Sequence, residues 1–154
     1  MNAEELLQRY AAGERDFTGV KLPRVRLLDV NLSRAIFREA DLSNASLDWT
    51  DLSYADLSYA NLKGARLGEA ALTGANLEGA DLSNAVFGQT TFKGANLSHA
   101  NLRRAILTET SFDDANLSYA DLRGASEFSI WRCKGAIFHE TIMPDGSIRS
   151  EGTA

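Results

Sequence analysis

The side chains best suited to covalent or metal chemistry are one thiol, Cys133, and two imidazoles, His99 and His139. A reactive thiol or a metal centre needs partners at defined spacing, and these three have none with one another. Cys133 falls on an apolar periodicity, so it reads as a small buried hydrophobe. No phosphate loop, dinucleotide fingerprint, nucleophile elbow or paired catalytic carboxylate stands out. No enzyme activity, cofactor or metal is therefore expected. The chemistry left is recognition. Trp49, Tyr54 and Tyr59 follow one another at five-residue intervals, and His99 and Tyr119 continue the series of Tyr59 in steps of twenty. Scattered surface aromatics can be neutral, but Trp and Tyr are enriched at interface hot spots, so these corners are candidate partner contacts.

What positions them is a five-residue unit read 22 times without a break from Arg15 to Gly124. Counting in fives from Phe17 to Leu122, 17 centres are Leu and five are Phe (17, 37, 87, 92 and 112). Two residues earlier stands Ala in 15 units, Val at 20, 25 and 30, and Thr at 50, 90 and 110, with Arg15 the exception. The residue just before the centre is often Asp or Asn, and the two after it are mostly polar or glycine.

On an α-helix a step of five turns by about 140°, which spirals the leucines around the axis. On one continuous strand an odd step alternates them between faces. Both conflicts vanish if each unit is a short extended piece followed by a corner. The small residue and the centre then point inward together, and the chain winds around its own leucines as an all-β solenoid.

The units, such as Ala40-Asp41-Leu42-Ser43-Asn44 and Ala120-Asp121-Leu122-Arg123-Gly124, resemble the A(D/N)LXX consensus of pentapeptide-repeat proteins over about 110 residues. Many members of that family are cyanobacterial. The resemblance implies a right-handed quadrilateral β-helix with four units and 20 residues per coil. The 22 units then make five and a half coils, and the additional C-terminal units extend the column to about 30 Å at the strand spacing.

The 154 residues read as one domain in three parts: a capping helix over 1–14, a repeat column over 15–143, and a turn and tail over 144–154. Asn2 can cap the helix with Glu5 three residues on. Leu6, Leu7 and Tyr10 form its apolar stripe, and Gly13 ends it. The first coil is irregular, with valines for alanines and Pro23 beside a centre, as terminal repeats often are. After Gly124 the phase slips by one at Ser126 and resumes with Phe128, Cys133, Phe138 and Met143 as centres. That register puts Trp131 in the inward alanine place, where it should widen the last coil. Ile142 to Ile148 reads as two short apolar pieces around Pro144-Asp145-Gly146, forming a lid, with 149–154 loosely held.

Columns twenty residues apart read Asp41, Asn61, Asp81, Asn101, Asp121 on one face and Asp56, Asn76, Asn96, Asn116 on the next. Alternating Asp with Asn separates the carboxylates and supplies amide donors. The inward threonines share one face, and their hydroxyls need backbone partners if buried.

Net charge is −5, which gives no overall basic bias. The face centred on Leu22 to Leu122 carries Lys21, Arg24, Lys63, Arg103, Arg104 and Arg123 against Asp41, Asp81 and Asp121, a net of +3. The face centred on Phe17 to Leu117 carries Asp16, Glu39, Asp56 and Glu78 against Arg38, a net of −3. The acidic start, Met1 to Glu5, reads as neither a signal peptide nor a membrane span. One cysteine suits a reducing compartment, so a cytoplasmic protein, monomeric or weakly dimeric, is expected.

The expected function is a non-enzymatic scaffold for an unidentified protein partner, with Trp49, Tyr54, Tyr59, Tyr119, Arg103 and Arg104 as contact candidates. The alternative comes from the family: some members mimic duplex DNA and inhibit or protect DNA gyrase. Those members are strongly acidic, dimeric and in some cases looped. Here one face is net basic and no loop interrupts 15–124. Direct nucleic-acid binding is disfavoured too, because Asp41, Asp81 and Asp121 interrupt the basic face.

Overall fold

The computed structural model describes residues 1–151. A helix, α1 (Ala3–Ala11), is followed by a long stack of short extended pieces and a C-terminal hairpin. The Asn2 side chain accepts the Glu5 N–H at 2.9 Å, satisfying one of the helix's unpaired donors. Gly13, at φ +101°, turns the chain out of the helix, and the Gly13 and Glu14 N–H groups bond back to the Tyr10 and Arg9 carbonyls. Leu6 is wholly buried in the core, with Leu7 and Tyr10 packed at its edge. The Tyr10 hydroxyl donates to the Ser33 carbonyl at 2.8 Å, and the Arg15 guanidinium lies 3.7 Å over the Tyr10 ring.

From Asp16 onward, backbones pair in parallel with residues twenty positions away: Lys21 with Asp41, Asp41 with Asn61, and so on to Ile106 with Ser126. Most of these pairings are single bridges, because a turn interrupts the chain after each extended pair. Two neighbouring units pair over three residues and form regular strands, β1 (Val86–Gly88) and β2 (Ile106–Thr108).

All units except those centred on Leu27 and Phe87 close the corner with a hydrogen bond from the next small residue to the centre, as from the Ala45 N–H to the Leu42 carbonyl at 3.1 Å. The second residue after the centre takes a left-handed conformation whatever its type, for instance Asn44 at φ 56° and Arg104 at φ 59°. Positive φ at the third residue marks a type II turn. The residue before the centre completes the corner. Twelve Asp or Asn side chains between Asp16 and Asp121 accept the N–H two residues on, as Asp41 does from Ser43 at 3.0 Å. The columns also bond along the stack: the Asn61 amide reaches Asp41 at 3.5 Å, and the Asn96 amide reaches Asn76 at 3.3 Å.

All 22 centres from Phe17 to Leu122 are buried, with the alanines beside them. Val20, Val25 and Val30, in the irregular start, are only partly covered. Phenylalanines stack where two fall in one column, Phe92 on Phe112 at 5.2 Å. The buried threonines are all satisfied: Thr50 donates to the Leu27 carbonyl, Thr90 to Leu67 at 2.7 Å and Thr110 to Thr108 at 3.4 Å. Thr141 does likewise to Leu117 at 2.6 Å.

Past Ser126 the pairing interval becomes 21, Asn116 with Ile137 and Asp121 with Ile142. The extra residue is taken up in a 3-10 turn, Ile130–Arg132. Here the structure corrects the expectation for Trp131, which is 91% exposed. An inward alanine place has room for little more than a methyl group, and overfilling it is costly. The tight turn swings Trp131 outward and leaves Ile130 half-buried against the core. Cys133 and Phe138 are buried centres, while Phe128 and Met143 lie at the core's edge.

The C-terminal hairpin pairs β3 (Thr141–Ile142) with β4 (Ile148–Arg149), antiparallel around the Pro144-Asp145-Gly146 turn. It therefore straddles the boundary drawn at 143. Ile148 is 64% exposed, so this strand does not serve as an apolar lid. Arg149 is fixed by pairing rather than loose. The rest of the tail expectation, 152–154, lies outside the described residues.

Candidate functional site

Trp49, Tyr54 and Tyr59 each occupy a left-handed corner, at φ 61°, 59° and 59°. All three are about half exposed. They sit on successive corners and wrap around the column, and no ring contact joins them among the described residues. The two tyrosines are fixed separately. The Tyr54 ring lies against Gly74 on one side, with the Arg34 guanidinium 5.0 Å from its centroid. The Tyr59 ring lies against Gly79, and its hydroxyl donates to Glu78 at 3.3 Å. Gly74 and Gly79 stand twenty residues beyond these tyrosines, and the missing side chain is what lets each ring lie flat.

Tyr119 belongs to a separate group. It stacks on His99 at 4.8 Å and meets His139 edge-on at 5.2 Å. Arg103 and Arg104 form a third group. With Ser83, Asn84 and Asn101 they line a polar hollow of about 290 Å³. Arg103 lies 3.8 Å and Arg123 2.7 Å from the Asp121 carboxylate. The side-chain hydrogen bond from Arg123 holds the Asp121 carboxyl below the usual range. The six candidate residues thus divide among three places rather than meeting in one.

One further concavity was not singled out from the sequence. It is an open groove of about 570 Å³ on the face centred on Leu27, Leu47, Leu67, Phe87 and Leu107. Val86, Gly68, Gly88 and Ile106 form its floor, Trp49 stands at one end, and Glu69, Gln89 and Glu109 follow along one side. The sequence did hold a signal. On this face the places before the centres, where other faces carry Asp or Asn, are Arg26, Ser46, Arg66, Val86 and Ile106. No Asx turn can form there, and the Gly68 N–H bonds instead to Asp48 at 2.8 Å and that of Gly88 to Thr90 at 3.2 Å.

Cys133 is fully buried, its thiol donating to the Ser129 carbonyl at 3.5 Å. Burial pushes its pKa up to about 12, helped by the nearby Asp113 charge, which opposes thiolate chemistry. No cluster of His, Cys, Asp or Glu suited to a metal ion occurs among the described residues. No helix among them is long and apolar enough to cross a membrane.

The sequence profile of the pentapeptide repeats matches residues 16–48, 50–89 and 90–126, in eight copies. The chain belongs to the pentapeptide repeats family. Among solved pentapeptide repeat proteins, one from the cyanobacterium Cyanothece 51142 is 26% identical, over 92% of this chain and 96% of its own, with a TM-score of 0.47. One from Nostoc PCC 7120 is 32% identical, over 88% and 93%, with a TM-score of 0.44. QnrB1, a plasmid-mediated fluoroquinolone resistance protein, is 18% identical over 92% and 83%, with a TM-score of 0.47. A search of the curated proteins finds no match. The pentapeptide repeats account for the buried Leu and Phe centres and for the Asp and Asn columns. They do not dictate Trp49, Tyr54, Tyr59, Val86 or Ile106, which are this chain's own choices at outward places.

Proposed function

We propose that this pentapeptide repeat protein is a non-enzymatic scaffold, a right-handed quadrilateral β-helix of four units per coil, closed at its N-terminal end by α1. Its work is done on the outside, where it docks a protein partner on the corners of Trp49, Tyr54 and Tyr59. Tyr119 extends the contact along the corner column of Tyr59, and Arg103 and Arg104 extend it to the next corner. The observation that carries this reading is the contrast between inside and outside: Leu and Phe fill the interior, while three large aromatics stand about half exposed at corners where strained backbone disfavours bulky side chains. A folded domain gains little stability from such residues, and recognition gains much.

A single buried cysteine suits a cytoplasmic setting, and the protein acts there as a monomer or weak dimer. Duplex-DNA mimicry fits less well. Lys21, Arg24, Lys63, Arg103, Arg104 and Arg123 run along one side, where a polyanion mimic would need carboxylates.

Site-specific photocrosslinking tests the reading. A photoreactive phenylalanine replacing Tyr54 should trap a discrete partner in cells that make the protein. The same residue replacing Asn44, a corner of the basic face, should trap none. Equal trapping at both places would overturn the assignment.

A further inference from the structure

We infer that the groove between Trp49 and Glu109 receives an extended, cationic segment of the protein partner; this rests on the scaffold reading and names the partner's chemistry. Three features of the groove converge. Its floor is partly apolar: Val86 and Ile106, one above the other, occupy places that most other units give to a polar residue, and Ile106 is 41% exposed. Gly88 leaves the floor open, with no atom near the place a side chain would take, so a backbone can approach closely there, while the Asp48 carboxylate lies over Gly68.

The rim is negatively charged. Asp48, Glu69 and Glu109 stand against Arg66 alone, and Arg66 already faces Asp48 at 3.5 Å. Glu69 and Glu109 have no cation among the described residues. Glu109 accepts only the Gln89 amide, at 3.1 Å. Two uncompensated carboxylates beside an apolar floor select a cationic, partly apolar guest over an acidic one.

The spacing sets the register. Glu69 and Glu109 occupy one corner column with Gln89 between them, so they lie two strand spacings apart, about 10 Å. A segment in the extended polyproline II conformation covers about 9 Å in three residues and returns a side chain to the same face at every third. A segment running along the column therefore sets Lys or Arg residues three apart against the two carboxylates. One of the two side chains between them turns toward Val86 and Ile106. Trp49, one step beyond Glu69, offers a ring face to a further cation or an apolar side chain.

The test uses a fluorescein-labelled dodecapeptide with two lysines three residues apart in a background of Ser, Ala and Val, and a partner peptide with glutamates in their place. Anisotropy should show saturable binding of the lysine peptide only. Glu69→Gln/Glu109→Gln should weaken it by about tenfold or more. Glu39→Gln/Glu78→Gln, on the opposite, acidic face, should change it less than about twofold. Glu69, Glu109 and Glu39 are exposed and Glu78 is partly buried, and unchanged melting would show that both double variants fold. Absent binding, equal binding of the glutamate peptide, or equal weakening by the two double variants would overturn the inference. So would a dimer of the chain that Glu69→Gln/Glu109→Gln dissociates, since a second copy would then be the occupant. Trapping at position 54 together with failure of the peptide would reject the groove's guest alone; failure of both would reject the scaffold reading.

Discussion

The Tyr54 ring lies so close over Gly74 that a Cβ on that glycine would collide with the ring carbons. Gly74 also sits at φ +67°, where an L side chain is strained. Gly74→Ala should therefore cost about 1–2 kcal/mol from backbone strain, plus the displacement of Tyr54. In a Tyr54→Ala background the second part disappears, so the two changes should couple by about 0.5–1 kcal/mol in a double-mutant cycle read by urea unfolding. Strict additivity would mean that the ring does not rest there.

Burial assigns Leu77 to the centre of the core and leaves the Asn44 side chain exposed. Leu77→Asp places an unpaired carboxylate among apolar side chains and should cost more than about 4 kcal/mol, enough to unfold the stack. Asn44→Asp keeps a residue that tolerates a left-handed corner and should stay within about 0.5 kcal/mol. Thermal melts of the two variants should differ widely, and equal melting temperatures would contradict the inward and outward assignment.

Acid should weaken the column. The Asp16 and Asp41 carboxyls are held below their ordinary range, chiefly by the hydroxyls of Thr18 and Ser43, and Asp121 by the Arg123 side chain. A carboxyl whose folded pKa is depressed stabilises fully above its unfolded value and loses that contribution as pH falls through the folded one. Urea midpoints should be flat near neutrality and decline below about pH 4. Asp41→Asn retains the acceptor for the Ser43 N–H and should reduce the decline without lowering the neutral midpoint by much. An acid dependence unchanged by Asp41→Asn would remove that corner from the explanation.

Cys133 should behave as part of the packing. With its thiol buried and its pKa raised to about 12, a thiol-specific disulfide reagent at mildly alkaline pH should react only after denaturant opens the C-terminal end. Rapid reaction of the native protein would contradict the buried centre.

The inward residues were legible in the sequence because one physical demand sets them: a Leu or Phe every fifth residue, with a small residue two places earlier, satisfies burial only if the chain turns at each unit. The left-handed corners at Trp49, Tyr54 and Tyr59 were not, since none of these residue types favours positive φ and the turn imposes it. Trp131 misled because periodicity places it inward while its volume forbids the place. The candidate aromatics were legible by type and spacing, but the sequence did not reveal that Gly74 and Gly79 fix the tyrosine rings. The groove arises from what Val86, Ile106, Gly68 and Gly88 fail to supply, namely the Asx turns and side chains found on other faces. A reading that searches for reactive groups passes over such a gap.

Affinity capture from cells that make the protein, comparing the wild-type chain with Trp49→Ala/Tyr54→Ala/Tyr59→Ala under matched melting temperatures, tests the scaffold reading most directly. The account predicts a partner held by the wild type and lost from the triple variant, since only exposed corners have changed. The same partner retained equally by both would contradict it.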